Sequence, residues 1–189
     1  MSNEAALDSI LGAIAGQRLP PVHSWQPQVT QYIDIRIARD GQWFHEGSPI
    51  GRPAMVKLFS SVLRVDDDGE TYLVTPQLRL RIEVEDAPFT AVLMEQHGSP
   101  EAPVLVFTTN VGDRVIADRR HPVHVRYATP DADPAPYLLV RDRLEALISR
   151  SVYYQLADLA EERDGVLGVV SAECFMPLGF IPEVKAAGI

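Results

Sequence analysis

Arginines placed beside turns are the residues of this chain best suited to chemistry. Arg52 precedes Pro53 at the start of a helix-like stretch, in GSPIGRPAMVKLF. The first N–H groups of a helix lack internal acceptors and its dipole is positive there, so an anion is favoured at that place. Arg141 follows the apolar run YLLV and opens a second helix-like stretch, DRLEALISRSVYYQLADLAEERDG, which also holds Arg150. Arg36 lies on the polar side of the alternating stretch IDIRI. A guanidinium grips phosphate or carboxylate through paired hydrogen bonds, so Arg36, Arg52 and Arg141 together would hold such a group. The competing role is pairing with Asp34, Asp40, Glu85 or Asp86.

Neutral residues complete the candidate ligand site. Trp43 is a buried-aromatic candidate, Ser48 lies on a turn, and Asn110 offers a hydrogen-bonding amide, although asparagine is also a frequent turn former. His45 and Asp86 are the one pair to watch for acid–base work.

Stronger chemical motifs are missing. His121 and His124 are three apart in HPVHVRY, where alternation indicates a strand, and at that spacing a strand points them to opposite faces. No shared metal is expected. The acidic run Asp66 to Glu70 lacks the alternating ligands of a calcium loop. Cys174 is the lone cysteine, so no internal disulfide forms and a buried, inert thiol is expected. In GSPIG the serine stands one place too early for a nucleophile elbow, and the following proline removes the N–H an oxyanion hole uses. No phosphate-binding glycine loop is found, no cofactor is expected, and an enzyme is the lesser expectation.

Charge narrows the partners. The chain of 189 residues carries a net charge of −9, which opposes broad binding to nucleic acid or an anionic membrane. Only Lys57 and Lys185 are lysine; the other basic residues are all arginine. No run approaches the ~18 apolar residues of a membrane span. The N-terminus carries acids where a secretory signal needs positive charge. A cytoplasmic location is the expectation.

The elements that would position these residues follow from periodicity. Glu4 to Ala15 has an apolar helical stripe of Leu7, Ile10, Leu11 and Ile14. Tyr32 to Ala38 and Gln42 to His45 read as two strands joined by a two-residue Asp40-Gly41 turn. Gly47-Ser48-Pro49 turns the chain into a helix with Pro53 in its first position, running to about Arg64 with Val56, Phe59 and Leu63 inward. Leu78 to Glu85 alternates apolar and charged residues, the pattern of an antiparallel strand with one dry face. Strands are also expected at Tyr72 to Thr75, Phe89 to Gln96, Val104 to Thr109, Arg114 to Ala117, Val123 to Tyr127, Tyr137 to Val140 and Val166 to Ser171. Arg141 to about Arg163 reads as the longest helix. The proline-rich stretch Thr129 to Pro136 is the best internal break.

The expectation is therefore an α+β fold of mostly antiparallel sheets with two main helices. It divides into an N-terminal helix and connector (1–22), a first half (23–96) and a second half (97–189). Each half contains strand, arginine, helix, glycine-bearing acidic turn and strand, which suggests a duplicated core with Arg52 and Arg141 in matching places.

The blocks IDIRIARDGQWFHEGSPIGRPAMVKLFSSVL, YLVTP, IEVEDAPF, FTTNVGD and YLLVRDRLEALISRSVYYQL, in that order, resemble the bacterial DUF1285 family, of unknown function. The resemblance runs from about Trp25 to Gly179. It implies a duplicated α+β core, a second half loosely like pleckstrin-homology domains, a small-ligand site of nucleotide-based type between the halves, and a role in signalling. Two places depart from the family pattern. Gln77-Leu78-Arg79 stands where the family tends to carry a Glu-Lys pair, and SAECFMPLG, with Glu173 and Met176, replaces a glycine-bearing turn. The expected function is a regulatory protein that binds an anionic small molecule at the interface of its halves. The alternatives are a protein–protein adaptor or an enzyme of unrecognised type.

Overall fold

The computed structural model describes residues 19–127 and 134–180. The expected helix at Glu4 to Ala15, most of the stretch Thr129 to Pro136 and the Ala-Ala-Gly end lie outside the described residues. The described residues divide into two compact units: 19–90, 109–113 and 140–146 form the first, and 91–108, 114–127, 134–139 and 147–180 the second.

The first unit is built on a six-stranded sheet. Its strands are β1 (Val29–Ile37), β2 (Trp43–His45), β3 (Ser48–Pro49), β4 (Leu63–Val65), β5 (Thr71–Val74) and β6 (Leu78–Val84), in the order β3-β2-β1-β6-β5-β4. Alternation in β1 buries Ile33, Ile35 and Ile37 completely, as a one-sided strand requires. In β6, Leu78, Leu80 and Ile82 are buried, with Arg81 and Glu83 exposed. That strand pairs antiparallel with β5, as expected, but parallel with β1. The sheet is mixed because two antiparallel meanders meet along β1 and β6.

Helix α1 (Pro53–Ser61) starts where proline placed it. Arg52 is its N-cap, extended at φ −104° and ψ 103°, the conformation a following proline enforces. The helix ends at Ser61 and the chain continues as β4, so Val62 and Leu63 are buried beyond the helix.

The hairpin turns differ from the expected ones. The β1–β2 loop has three residues, Arg39, Asp40 and Gly41: Ala38 N–H donates to Gln42 O at 2.9 Å and Gly41 N–H to Ala38 O at 2.8 Å. Only Gly41 is left-handed, at φ +84°, as in a turn followed by a glycine bulge. The two-residue turn belongs instead to Glu46 (φ 49°) and Gly47 (φ 75°), between β2 and β3. Ser48 therefore sits in a short strand.

The second sheet contains β7 (Phe89–Ser99), β8 (Ala102–Thr109), β9 (Arg114–Ile116), β10 (Val123–Arg126), β11 (Ala135–Arg141) and β12 (Leu144–Ile148), ordered β10-β11-β12-β7-β8-β9. Read from its other edge, β7 to β12 take the places of β1 to β6. The core is thus duplicated, but as a sheet order. The expected match between the helices fails: α1 follows the third strand of its sheet, whereas α2 (Arg150–Asp158) follows the sixth.

The expected long helix from Arg141 to Arg163 is likewise replaced. Arg141 ends β11, Asp142 turns at φ 47°, and Leu144, Ala146 and Ile148 alternate as the buried face of β12 before α2 begins. A third sheet, β13 (Glu161–Arg163), β14 (Val166–Ser171) and β15 (Cys174–Phe180), completes the second unit. Leu105, Phe107, Leu138, Val152, Leu156 and Val169 are among its buried residues. The buried Ser171 hydroxyl accepts from Leu105 N–H at 2.8 Å and donates to Ala117 O at 2.7 Å. No described helix is long and apolar enough to cross a membrane.

Candidate functional site

Two of the three turn arginines are already committed within the first unit. Arg36 pairs with Glu85, one of the acids its sequence context offered, and lies 4.4 Å from the Phe44 ring centroid. Arg141 binds Asp113 at 2.8 Å, donates to Ser60 O at 2.7 Å and covers the Phe89 ring at 4.9 Å. It works as a structural clamp. Arg52 is exposed at the helix entrance.

A cavity of about 630 Å³ opens in the first unit between the β1–β2 turn and the start of α1. Asp40, Gly41, Gln42 and Trp43 form one wall, and Ile50, Gly51, Pro53, Ala54, Val56 and Lys57 another. Asn110 and Val111 close it. Of the expected site residues, Trp43 and Asn110 line this cavity, and Arg52 is flanked by two residues that do. Arg36, His45, Ser48, Asp86 and Arg141 belong to the same unit but not to this lining, and Arg150 is an exposed residue of the second unit.

Asn110 builds the cavity's corner. Its Oδ1 accepts from Thr90 N–H at 3.1 Å, its Nδ2 donates to Gly41 O at 3.2 Å, and its own N–H donates to Thr90 O at 2.8 Å. The close approach demands glycine at 41: a Cβ there would lie 2.6 Å from Thr90 Oγ1 and 2.7 Å from Asn110 Nδ2. Trp43 is 1% exposed and stacks on Phe59, with centroids 6.3 Å apart. Its indole Nε1 is buried without a partner among the described residues, as is Thr90 Oγ1. Buried polar atoms are paired in most folded chains.

Two features give the cavity a positive side. Pro53 has no N–H, while Met55 and Val56 both donate back to Arg52 O at 3.0 and 3.2 Å. The Ala54 N–H is left without an acceptor among the described residues. Lys57, one turn on, is exposed and has no ion-pair partner among the described residues. Residues three and four apart on a helix share a face, so Lys57 stands with Ala54 and Pro53. The only lining carboxylate among the described residues, Asp40, already accepts Gln42 N–H at 2.9 Å.

Sequence reasoning passed over Lys57 and Gln42. The available signal for Lys57 was its rarity and its place one turn inside the helix whose entrance drew attention to Arg52.

The remaining candidates are placed elsewhere. His45 Nε2 is buried and has no partner among the described residues, and Asp86 binds Arg39 at 3.1 Å. His121 faces Asp118 at 3.1 Å, while His124 stacks on Tyr137 at 5.7 Å, so the two histidines serve different neighbours. Among the described residues no group of three or more His, Cys, Asp or Glu is placed to hold a metal. A second hollow of about 710 Å³ is walled by a charge network. There Arg64 holds Asp66 and the carbonyls of Val22 and Trp25, both at 2.8 Å, while Arg79 also binds Asp66. Desolvation pushes the Asp66 carboxyl up, but the hydrogen bonds and charges of Arg64 and Arg79 outweigh it and hold the group below the usual carboxylate range.

Two family models match successive parts of the chain. Residues 20–87 match the N-terminal domain and residues 88–178 the C-terminal domain of DUF1285, each described as being of unknown function. The chain belongs to the DUF1285 family. It is similar to the crystal structure of a DUF1285 family protein from Silicibacter pomeroyi DSS-3, with 45% identity over 95% of this chain and 97% of that one, at a TM-score of 0.87. A DUF1285 family protein from Shewanella baltica OS155 is 29% identical, covers 67% of this chain and 91% of its own, and has a TM-score of 0.52. No curated protein matches. In DUF1285 terms the cavity draws residues 40–57 from the N-terminal domain and residues 110 and 111 from the C-terminal one.

Proposed function

We propose that this DUF1285 protein is a regulatory binding module whose ligand is an anionic, nucleotide-like small molecule held in the 630 Å³ cavity of the first unit. The observation that carries the reading is Lys57, without an ion-pair partner among the described residues, on the same helix face as the Ala54 N–H, which has no acceptor among them. An anionic group placed there meets a full positive charge and the helix dipole together. The side-chain amide of Gln42 supplies a donor and an acceptor for the heteroatoms of a base or similar ring, beside the corner that Asn110 holds. Binding is favoured over turnover by the lining, whose polar side chains are one lysine, two amides, a buried indole and an aspartate already engaged in its turn. A role in signalling fits a module that senses a metabolite rather than converting it.

A thermal-shift screen of nucleotides and phosphorylated metabolites tests the reading. A true ligand at a hundred times its Kd stabilises the protein by about 2.7 kcal/mol. Lys57→Met removes a charge-assisted contact worth about 1.5–3 kcal/mol, so it should weaken that ligand roughly 10- to 100-fold with little change in the free protein's Tm. If no anion raises the Tm, or Lys57→Met binds as the native chain does, the proposal is wrong.

A further inference from the structure

A smaller hollow of about 330 Å³ shares the walls Ala54 and Lys57 with the main cavity. Its other lining residues are Leu19, Leu58, Ser60, Ser61 and Asp113. Most of the polar groups among them are already used. The Ser60 hydroxyl donates to Lys57 O at 2.8 Å and the Ser61 hydroxyl to Leu58 O at 2.6 Å. The Asp113 carboxylate is held by Arg141, which also occupies the Ser60 carbonyl. What this hollow offers a visitor is therefore mainly the apolar surface of Leu19, Ala54 and Leu58. Leu19 is 57% exposed at its edge, an arrangement that gains free energy when apolar atoms cover it.

We infer that the ligand is amphipathic, with its anionic head beside Lys57 and Ala54 and a short apolar arm, alkyl or aryl, in the hollow lined by Leu19 and Leu58. This rests on the binding proposed above. One ammonium stands between a cavity with hydrogen-bonding groups unused at Gln42 and a smaller hollow whose open lining is mostly apolar, which is the pattern a single head-and-arm molecule would fill. A wholly polar anion would leave the smaller hollow wet and the leucines uncovered.

A homologous series tests this: n-alkyl phosphates from methyl to octyl, titrated calorimetrically against the full chain below their micelle concentrations. Each methylene buried should tighten binding about fourfold, up to the length that fills the hollow and no further. Leu19→Asn, at an exposed position and so without a folding cost, and Leu58→Asn should flatten the series and leave methyl phosphate unchanged. Lys57→Met should weaken every member by a similar factor. If affinity does not depend on chain length while methyl phosphate still binds, the apolar arm is refuted and the anion site stands. A length dependence that survives both leucine substitutions also refutes it, because the arm then lies elsewhere. If no member binds at all, the anion site falls and the inference with it.

Discussion

Gly41→Ala probes the corner on which the cavity depends. Alanine meets two separate costs there. At φ +84° it must adopt a left-handed backbone, about 1–2 kcal/mol for a residue with a Cβ. The new Cβ would also stand 2.6 Å from Thr90 Oγ1 and 2.7 Å from Asn110 Nδ2, so Asn110 has to withdraw. That breaks its bond to Gly41 O at 3.2 Å and loosens the one from Thr90 N–H at 3.1 Å, about 0.5–1.5 kcal/mol each. The expected total is about 3 kcal/mol. Gly47→Ala is the control: its φ is +75°, yet nothing lies within 4 Å of its Cβ, so only the backbone cost of about 1–2 kcal/mol applies. Denaturant unfolding reads both as shifts in midpoint at constant slope. Combining Gly41→Ala with Asn110→Ala should cost less than the sum of the two, because the smaller side chain removes half the clash. Equal costs for the two glycine substitutions, within about 0.5 kcal/mol, would show that the corner yields freely and does not hold the cavity in shape.

Asp66→Asn should destabilise the first unit by about 1.5–3 kcal/mol near neutral pH, the value of a hydrogen bond to a charged group, since Arg64 and Arg79 lose their shared carboxylate. The folded-state pKa of Asp66 is depressed, so its contribution is complete above the usual carboxylate range and is lost as pH falls through the lower folded value. Unfolding curves from about pH 6 down to about pH 2 should therefore converge for the native chain and the Asp66→Asn variant. A gap that persists at the acid end would mean the charge is not the cause. Glu173→Gly should stabilise the second unit by about 1 kcal/mol, because Ala172 (φ 48°) and Glu173 (φ 62°) form the left-handed turn between β14 and β15 without a glycine. An unchanged unfolding midpoint would refute that account of the turn.

Much of the first unit was legible in the sequence because its signals are local. The alternation of β1 and β6 and the proline that opens α1 each depend on a few neighbouring residues, and each was found where expected. The segment after Arg141 was not legible. Its apolar residues satisfy two periods at once: Leu144, Leu147 and Ile148 fit a helix, while Leu144, Ala146 and Ile148 fit a strand. Small Ala146 concealed the second pattern, and only pairing within the sheet chose it. Recognition of DUF1285 was carried by ordered blocks of sequence, and the duplication it implied exists, yet the elements that correspond are strands rather than the two arginine-led helices.

The candidate site divides in the same way. Composition and turn chemistry drew attention to Trp43 and Asn110, which line the cavity, and to Arg52 beside it, since an aromatic, a turn asparagine and a pre-proline arginine each announce themselves locally. The fates of Arg36 and Arg141 were decided by Glu85 and Asp113, 49 and 28 residues away along the chain. Whether a charged side chain is spent or free depends on which opposite charge the fold brings within hydrogen-bond reach, and no local pattern encodes that distance. For the same reason Lys57 emerged only from the tertiary structure: it is the basic residue at the cavity for which the fold supplies no acid among the described residues.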